Sequence, residues 1–479
     1  MVRSLVWFRR DLRVHDNPTL SDAVNNSDEV LPVYTFDPHW FDEGMFGMDR
    51  IGGYRARFLW ESVEDLRSKI QSLGGDLIVR SGEATDVIPS LCDEHNIDTI
   101  YTQTMPSTQE IERERNVRKS SDAEFERYWS HTLYHLNDLE SNYDSIDDTF
   151  TPWRKETQYG AEVRSTVEKP NEIPVPDVET GSIPSPEEFD LELKNSSDNG
   201  FVRFKGGESA GLSRMNEYIW EKDKLREYKE TRNGLLGEDY SSKFSPWLAH
   251  GCLSPRRIYE EVQEYEDERV SNDSTYWLVF ELMWRDFFQF QFLKHGDDFF
   301  TENGIRNVDY DWNQNLEAFR AWANGRTGFP FVDANMREIN KTGYMSNRGR
   351  QNVASFLVDV LDVDWRMGAM YFQSKLVDYD VCSNWGNWAY QAGVGNDSRN
   401  NYFNVLKQGE RYDDNGEYIR HWLTELEGLP ADATHRPWKM SEGQQQMYGV
   451  ELGEDYPEPI VDIENYSYKE VVENRLTQG

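Results

Sequence analysis

Residues 59–75 read LWESVEDLRSKIQSLGG, with the apolar residues Leu59, Val63, Leu66 and Ile70 at helical spacing. This spacing predicts an amphipathic helix that ends at the two glycines. Short apolar runs on either side predict strands at residues 5–8, 30–36, 77–79, 99–101 and 133–136. Alternating strands and helices predict an α/β domain over residues 1–136, with a five-stranded, mainly parallel sheet and helices on both of its faces.

The remaining chain divides by composition into three further parts. Residues 137–200 carry scattered prolines among polar residues, which predicts an interdomain linker. Residues 201–427 return to helical spacing with few strand signals and predict a large all-α domain. Residues 428–479 are acidic and rich in proline, so we expect a partly ordered tail.

The charge and the aromatic content limit the classes of protein that this chain can belong to. The 479 residues include 51 Lys and Arg against 87 Asp and Glu, for a net charge of −36. Because 14% of the residues are aromatic, we expect a packed core rather than a disordered polyanion. An acidic surface around such a core is typical of halophilic proteins, since concentrated salt screens self-repulsion.

Cysteine spacing and hydropathy exclude several further classes. Cys92, Cys252 and Cys382 lack the spacing of a disulfide framework or a zinc site, so we predict no metal centre. The apolar run at the N-terminus is too short for a signal peptide, and no stretch approaches the ~20 apolar residues that span a bilayer. We expect a cytoplasmic protein without a membrane segment.

Two serine–proline pairs stand close together in the helical part. Ser245 and Ser254 each precede a proline, which predicts two capped helix N-termini. The free amides at such ends, with Ser241 and Ser242 nearby, suit a pyrophosphate without a glycine-rich loop. Simple helix capping explains the same residues.

Other charged residues interrupt apolar segments. Glu281 and Arg285 lie in the aromatic run 276–293, where they are either a mutual structural pair or the lining of a cavity for a polar ligand. The polar runs 348–352 and 378–388 could bind the edge of a flavin ring or form a salt-bridge network between helices. The residue types alone leave both alternatives open.

These motifs, with WFRRDLR at 7–13 and DANMR at 333–337, resemble the cryptochrome and DNA photolyase family, most closely its DASH members. The resemblance covers about residues 1–425. It implies an N-terminal antenna domain and a helical domain that holds a U-shaped FAD. It also implies that the folate 5,10-methenyltetrahydrofolate is the antenna cofactor.

The resemblance further implies which residues contact the cofactors. The segment around the FAD phosphates and ribityl chain comprises Tyr228, Ser241, Ser242, Phe244 and Ser245. The surroundings of the flavin ring comprise Arg285, Asn347, Arg350, Asp378, Asp380 and Asn384, with Asp378 paired to Arg350. Asn384 faces flavin N5, where an amide favours a reduced, anionic flavin. Glu110 matches the carboxylate that holds the folate, with Glu112 as a competing register.

The same resemblance assigns an electron-transfer chain and a substrate pocket. The chain comprises Trp388, Trp365 and Trp312, each of which is a packing residue on sequence alone. Glu281 stabilises the radical anion of a pyrimidine dimer, and Trp284 and Tyr390 flank the lesion. The substrate-binding set comprises Glu281, Trp284, Arg348, Gln351 and Tyr390.

Two departures from duplex-repairing photolyases bear on the substrate. Gln351 and Tyr390 stand where those enzymes have Met and Trp, and a more polar pocket grips an extruded dimer less well. Because flipping a dimer out of a duplex costs a few kcal/mol, we predict a preference for single strands. No histidine occurs between His295 and His421, which disfavours the (6-4) photolyase class.

The expected function is therefore light-driven, flavin-dependent repair of cyclobutane pyrimidine dimers by a monomeric DASH-type lyase, preferentially in single-stranded DNA. The alternative is a blue-light photoreceptor that binds DNA with little or no repair. An ordinary flavin oxidoreductase is disfavoured because no dinucleotide fingerprint occurs. DNA phosphates require a local basic track, which we predict at Arg256, Arg257, Arg348, Lys407 and Arg411.

Overall fold

The computed structural model describes residues 1–195, 203–397 and 402–462. Its N-terminal part is the predicted α/β domain. The strands are β1 (Arg3–Phe8), β2 (Glu29–Phe36), β3 (Ile78–Ser81), β4 (Thr99–Gln103) and β5 (Glu124–Tyr128). They form one sheet in the order β3-β2-β1-β4-β5, and every neighbouring pair is parallel.

Helices cover both faces of this sheet, as predicted. They are α1 (Pro18–Asn26), α2 (Gly53–Ser72), α3 (Ala84–His95) and α4 (Thr108–Ser120). Val6 and Phe8 of β1 pack in the cluster that includes α1 and α2, while Leu5 and Trp7 pack in the cluster that includes α3 and α4. Because successive strand residues point to opposite faces, β1 is buried on both sides.

The fifth strand lies elsewhere than predicted. β5 reads EFERY and is partly exposed, because it forms the edge of the sheet. The apolar run at 133–136 is instead buried against the helical part, where the N–H groups of Leu133 and Tyr134 donate to the Asp286 carboxylate at 3.0 and 2.9 Å. Hydrophobicity alone did not distinguish a strand from a buried connection.

The rest of the described chain is helical. Its helices are α5 (Phe150–Gly160), α6 (Glu208–Asn216), α7 (Tyr228–Thr231), α8 (Ser245–Ala249), α9 (Pro255–Glu268), α10 (Asp273–His295), α11 (Leu316–Ala323), α12 (Pro330–Thr342), α13 (Asn347–Ser355), α14 (Trp365–Lys375), α15 (Val381–Gln391), α16 (Val405–Tyr412), α17 (Glu417–Trp422), α18 (Ala431–His435) and α19 (Glu442–Tyr448). None of the helices in the described residues is both long and apolar enough to cross a membrane.

The segment predicted as a linker is more ordered than expected. Within it, α5 packs on α10, with the rings of Phe150 and Trp284 stacked at 3.6 Å. Beyond α5 the chain runs along the edge strand β3, where the N–H of Val79 donates to the oxygen of Thr180 at 2.7 Å and so covers an open sheet edge. The prolines that motivated the linker prediction all follow α5.

The predicted tail also contains structure. It includes α18 and α19, and the buried Tyr456 donates its hydroxyl to Asp333 at 2.6 Å. Residues 196–202 and the end of the predicted tail, 463–479, lie outside the described residues. The domain boundaries themselves stay a prediction.

Only one of the two serine–proline pairs caps its helix as predicted. The hydroxyl of Ser254 accepts from the N–H of Arg256 at 3.2 Å and begins α9. Ser245 begins α8, but its hydroxyl donates to Asp378 at 2.7 Å instead of capping the helix. Ser245 is therefore committed to a contact between distant segments.

Candidate functional site

An ion pair between the half-buried Arg350 and the buried Asp378 joins α13 to the segment that precedes α15. Nη2 of Arg350 donates to both carboxylate oxygens of Asp378, at 3.0 and 2.8 Å. Burial lowers the pKa of Arg350, but the charge of Asp378 outweighs this effect and raises it above its usual value. Asn347, the first residue of α13, is exposed. The structure thus brings Ser245, Arg350 and Asp378 together and leaves Asn347 at the surface.

The segment that carries Ser241 and Ser242 contains a buried lysine that the sequence analysis missed. Lys243 has a left-handed backbone, with φ of 56°, and its ammonium lies 3.5 Å from the ring centre of Tyr240. Within the described residues, no carboxylate lies at ion-pair distance from it, and burial lowers the pKa of Lys243 to about 7. A buried amine without a counter-ion suits an anionic ligand. A lysine inside a run of serines was the available signal.

Neighbouring side chains fix this segment. Arg214 donates to the backbone oxygens of Ser242 and Ser241, at 3.2 and 3.4 Å. Tyr228 and Phe244 are both buried beside it. The predicted phosphate segment is therefore a fixed loop before α8 that presents a cationic side chain.

Asp380 and Asn384 occupy the first turns of α15. Asp380 accepts from the N–H of Ser383 at 2.8 Å and from Nε2 of Gln289, on α10, at 3.0 Å. Arg10, from the sheet domain, lies 3.9 Å from the same carboxylate. Burial raises the pKa of Asp380. The positive charges of Arg285 and Arg10 outweigh this effect and hold the pKa below its usual range. The buried Asn384 donates to the oxygen of Ala369 at 3.0 Å.

Glu281 and Arg285 are not paired with each other. Glu281 pairs with Arg232, which the sequence analysis missed and whose guanidinium lies 4.3 Å from the ring centre of Trp277. Arg285 donates to backbone oxygens of two neighbouring segments. The side chain of Glu281 is 31% exposed, and burial raises its pKa although Arg232 opposes this effect. A raised pKa favours the protonated carboxyl, which can donate a hydrogen bond.

A recess of about 280 Å³ lies between α5, α10 and the end of α15. Trp284 and Tyr390 line it, with ring centres 6.3 Å apart and rings at 88°. The hydroxyl of Tyr390 donates to Asp397 at 2.9 Å. Gln351 does not line this recess, but its buried Oε1 has no hydrogen-bond partner among the described residues.

The three predicted electron-transfer tryptophans differ in exposure and share contacts. Trp388 and Trp365 are buried, whereas Trp312 is partly exposed. The indole N–H groups of Trp365 and Trp312 both donate to the backbone oxygen of Glu302, at 3.2 and 3.1 Å, so these two rings are neighbours. Trp388 packs on α14 at Gly368, where a β-carbon would overlap its ring. Trp365 therefore lies beside Trp312, and Trp388 packs against α14, the helix that begins at Trp365.

A cavity of about 390 Å³ lies between the sheet domain and the helical domain, and residues of both line it. Glu110, on α4, lines it and pairs with Arg9 and, at 3.7 Å, with Arg113. Burial raises the pKa of Glu110, but the arginines hold it below its usual value. The competing register, Glu112, is exposed and does not line the cavity.

The predicted basic track is wrong in two of its members. Arg256 is buried against Asp16, 2.5 Å away, and ties the two domains together, while Arg257 pairs with Glu260 and Glu261. Serine–proline capping placed both arginines in the first turn of α9, and the sequence did not show which carboxylates meet them. Arg348 and Arg411 do lie together, over the ring of Tyr412 at 4.6 and 5.3 Å. Lys407 is exposed.

Comparisons with known proteins agree with this architecture. Residues 4–175 match the DNA photolyase family, and residues 277–474 match the FAD binding domain of DNA photolyase. The Cryptochrome DASH of Natronomonas pharaonis is 57% identical over 97% of this chain and 99% of its own. That of Gloeobacter violaceus is 48% identical over 96% and 93%. The crystal structure of a Synechocystis cryptochrome superposes with a TM-score of 0.95, at 46% identity and full coverage of both chains.

A sheet domain joined to a helical FAD-binding domain is the architecture of photolyase-type flavoproteins. The chain belongs to the cryptochrome and DNA photolyase family, as a DASH cryptochrome. The residues present fit FAD, since the buried Lys243 lacks a carboxylate partner among the described residues beside the predicted phosphate segment.

Proposed function

We propose that this chain is a light-driven lyase that splits cyclobutane pyrimidine dimers, preferentially in single-stranded DNA. The observation that carries the proposal is the pairing of α10 with α15. Gln289 of α10 donates to Asp380, which caps α15. Along the same two helices, the ring of Trp284 on α10 lies 6.3 Å from that of Tyr390 on α15. The proposed flavin-ring residues and the proposed lesion-flanking residues therefore lie on the same two helices.

The cofactor would be held by groups of three kinds. Lys243, with Ser241 and Ser242, would bind the pyrophosphate, a role that its uncompensated buried charge supports. The paired Arg350 and Asp378 would hold the edge of the flavin ring, and Asp380 and Asn384 would contact its polar atoms. Reduced FAD held by these residues would supply light-driven one-electron chemistry to the dimer, with no net change in its own oxidation state.

The protein groups at the lesion have separate tasks. Glu281, with its raised pKa, would donate a hydrogen bond to the dimer as negative charge develops there. Trp284 and Tyr390 would bracket the two bases, and Arg348, beside Arg411, would meet the backbone phosphates. Arg232 would position Glu281 through the hydrogen bond that its guanidinium donates to Oε1 of Glu281.

The preference for single strands follows from the recess. Tyr390, Asn396 and Asp397 make it polar, and the hydroxyl of Tyr390 donates to Asp397 at 2.9 Å. Extrusion of a dimer from a duplex costs a few kcal/mol, and a polar recess recovers less of that cost through apolar contact. A dimer in a single strand avoids most of this extrusion cost.

The antenna and the tryptophan route complete the proposal. Glu110 lines the interdomain cavity and would hold a methenyltetrahydrofolate that collects near-UV light for the flavin. Trp388, Trp365 and Trp312 would carry electrons inward from the surface to reduce the flavin under light. The partial exposure of Trp312, with Trp365 and Trp388 buried, supports this direction.

Single-turnover illumination of an oligonucleotide with one thymine dimer tests the proposal. The reduced holoprotein should restore the two thymines on a single strand and do so less well on a fully paired duplex. Repair of neither substrate would leave the blue-light receptor as the function. Equal repair of both would remove the strand preference and keep the lyase.

A further inference from the structure

The interdomain cavity contains more cationic charge than its carboxylates compensate. Its lining has five arginines and three carboxylates, on a chain whose net charge is −36. Three of the arginines have carboxylate partners: Arg9 pairs with Glu110, Arg113 with Asp37 at 3.3 Å and Glu110 at 3.7 Å, and Arg10 with Asp380 at 3.9 Å. The remaining arginines therefore decide what the cavity can bind.

Arg55 and Arg50 lie together in the part of the lining contributed by α2 and the loop before it. The guanidinium of Arg55 donates to the backbone oxygen of Arg50 and stacks 4.5 Å from the ring centre of Tyr379. That of Arg50 contacts the ring of His39 at 3.2 Å. Throughout the described residues, neither guanidinium has a carboxylate at ion-pair distance.

Arg55 is the more deeply buried of the two. Only 7% of it is exposed, and its Nη1 has no hydrogen-bond partner among the described residues. Burial lowers the pKa of Arg55 to about 9, and the nearby positive charge of Arg10 adds to this effect. A buried cation without a counter-ion is costly, and an anion in the cavity would remove that cost.

The other walls show what kind of molecule could bring the anion. Aromatic rings make up much of the lining: Trp7, Phe8, Tyr34, Trp40, Phe41, Phe300, Tyr379 and Trp385. A volume of about 390 Å³ accommodates a small aromatic cofactor. Flat apolar walls with a cationic corner suit a planar ring system that carries an acidic tail.

We propose that Arg55, with Arg50 beside it, forms an anion subsite that holds the carboxylate or phosphate tail of an aromatic antenna cofactor. The proposal deepens the antenna role given above and rests on it for the identity of the folate. Glu110 holds the ring system, and Arg55 holds the tail. A carboxylate tail indicates a folate, and a phosphate tail indicates a flavin mononucleotide.

Binding of three probes to the FAD-loaded protein without antenna tests the subsite. The probes are methenyltetrahydrofolate, flavin mononucleotide and riboflavin, which lacks the phosphate. Loss of a charged hydrogen-bond donor should weaken an anionic ligand by roughly tenfold to a hundredfold. Arg55→Gln should therefore weaken the folate or the mononucleotide by that factor, and riboflavin much less.

Matched variants separate the subsite from damage to the fold. Arg57→Gln, two residues away on α2 in an ion pair with Glu61, should bind every probe as the parent does. Arg55→Lys keeps the charge and should recover part of the affinity. Retained FAD absorption verifies folding in each variant.

The outcomes distinguish this proposal from the folate assignment. If the mononucleotide binds through Arg55 and the folate does not bind, the folate antenna fails and the anion subsite stands. If Arg55→Gln binds both anionic probes as the parent does, or loses riboflavin equally, the subsite is overturned. Failure of the parent protein to bind all three probes overturns it as well.

Discussion

The two candidate cofactor sites differ in how they compensate charge. In the helical domain Arg350 faces Asp378 and Arg232 faces Glu281, so these two guanidinium charges are paired within the protein. In the interdomain cavity Arg55 has no such partner within the described chain. Paired charges make a site rigid before its ligand arrives, whereas uncompensated charge leaves a site dependent on the ligand. Replacing Arg350 should therefore affect folding, whereas replacing Arg55 should mainly affect the affinity for an anionic ligand.

The largest effect should come from the buried pair in the helical domain. Arg350→Met leaves the Asp378 carboxylate without its counter-charge, which should lower the free energy of unfolding by about 3–5 kcal/mol. Chemical unfolding of the FAD-free protein measures this change. Arg436→Met is the matched control, since Arg436 and Glu410 form an exposed pair worth about 1 kcal/mol or less. Equal losses in the two variants would contradict the contrast between buried and exposed pairs.

The next effect concerns Glu281. Glu281→Leu removes the proposed donor to the dimer and should weaken binding of a dimer-containing oligonucleotide by roughly tenfold to a hundredfold. Because the pKa of Glu281 is raised, the donor proton is present at low pH and is lost as the pH rises through that pKa. Affinity for the dimer should therefore fall with rising pH in the parent protein. Glu281→Gln keeps a donor at every pH, so a pH dependence that persists in this variant would contradict the role.

The comparison also shows what the sequence could and could not predict. The strands β1, β2 and β4 and the helix α2 followed from apolar periodicity, because each buries a continuous apolar face. The edge strand β5 did not, because half-exposed positions accept charged residues. A local sequence pattern does not show which strand lies at the exposed edge of the sheet.

The site residues divide in the same way. The resemblance to the family identified Arg350 and Asp378 as a pair, and the structure places them in contact. It did not bring out Arg232 or Arg55, because an arginine becomes informative only when its partner, or the lack of one, is known. Arg232 meets Glu281 from a loop distant in sequence, and the isolation of Arg55 depends on the packing of two domains. Charge compensation is a property of the fold and not of a segment.

The third prediction concerns Lys243, a buried amine without a carboxylate at ion-pair distance among the described residues. Its pKa of about 7 should rise when the pyrophosphate of FAD binds, so binding takes up a proton above pH 7. FAD affinity should then be constant below pH 7 and fall above it, by at most about tenfold per pH unit. Calorimetry of FAD binding in buffers of different ionisation enthalpy counts the protons. Lys243→Met should bind more weakly and take up none, and proton uptake that survives this change would assign it to another group.

The smallest effect should come from the antenna carboxylate, because Arg9 and Arg113 already satisfy it within the protein. Glu110→Gln should lower the affinity for methenyltetrahydrofolate about tenfold, as loss of one charged acceptor usually does. Fluorescence titration with the folate measures this affinity. Glu112→Gln changes the same residue type one half-turn away, on the exposed side of α4, and should bind folate as the parent does. A loss confined to Glu112→Gln would reverse the register, and the cavity that Glu110 lines would then not be the folate site.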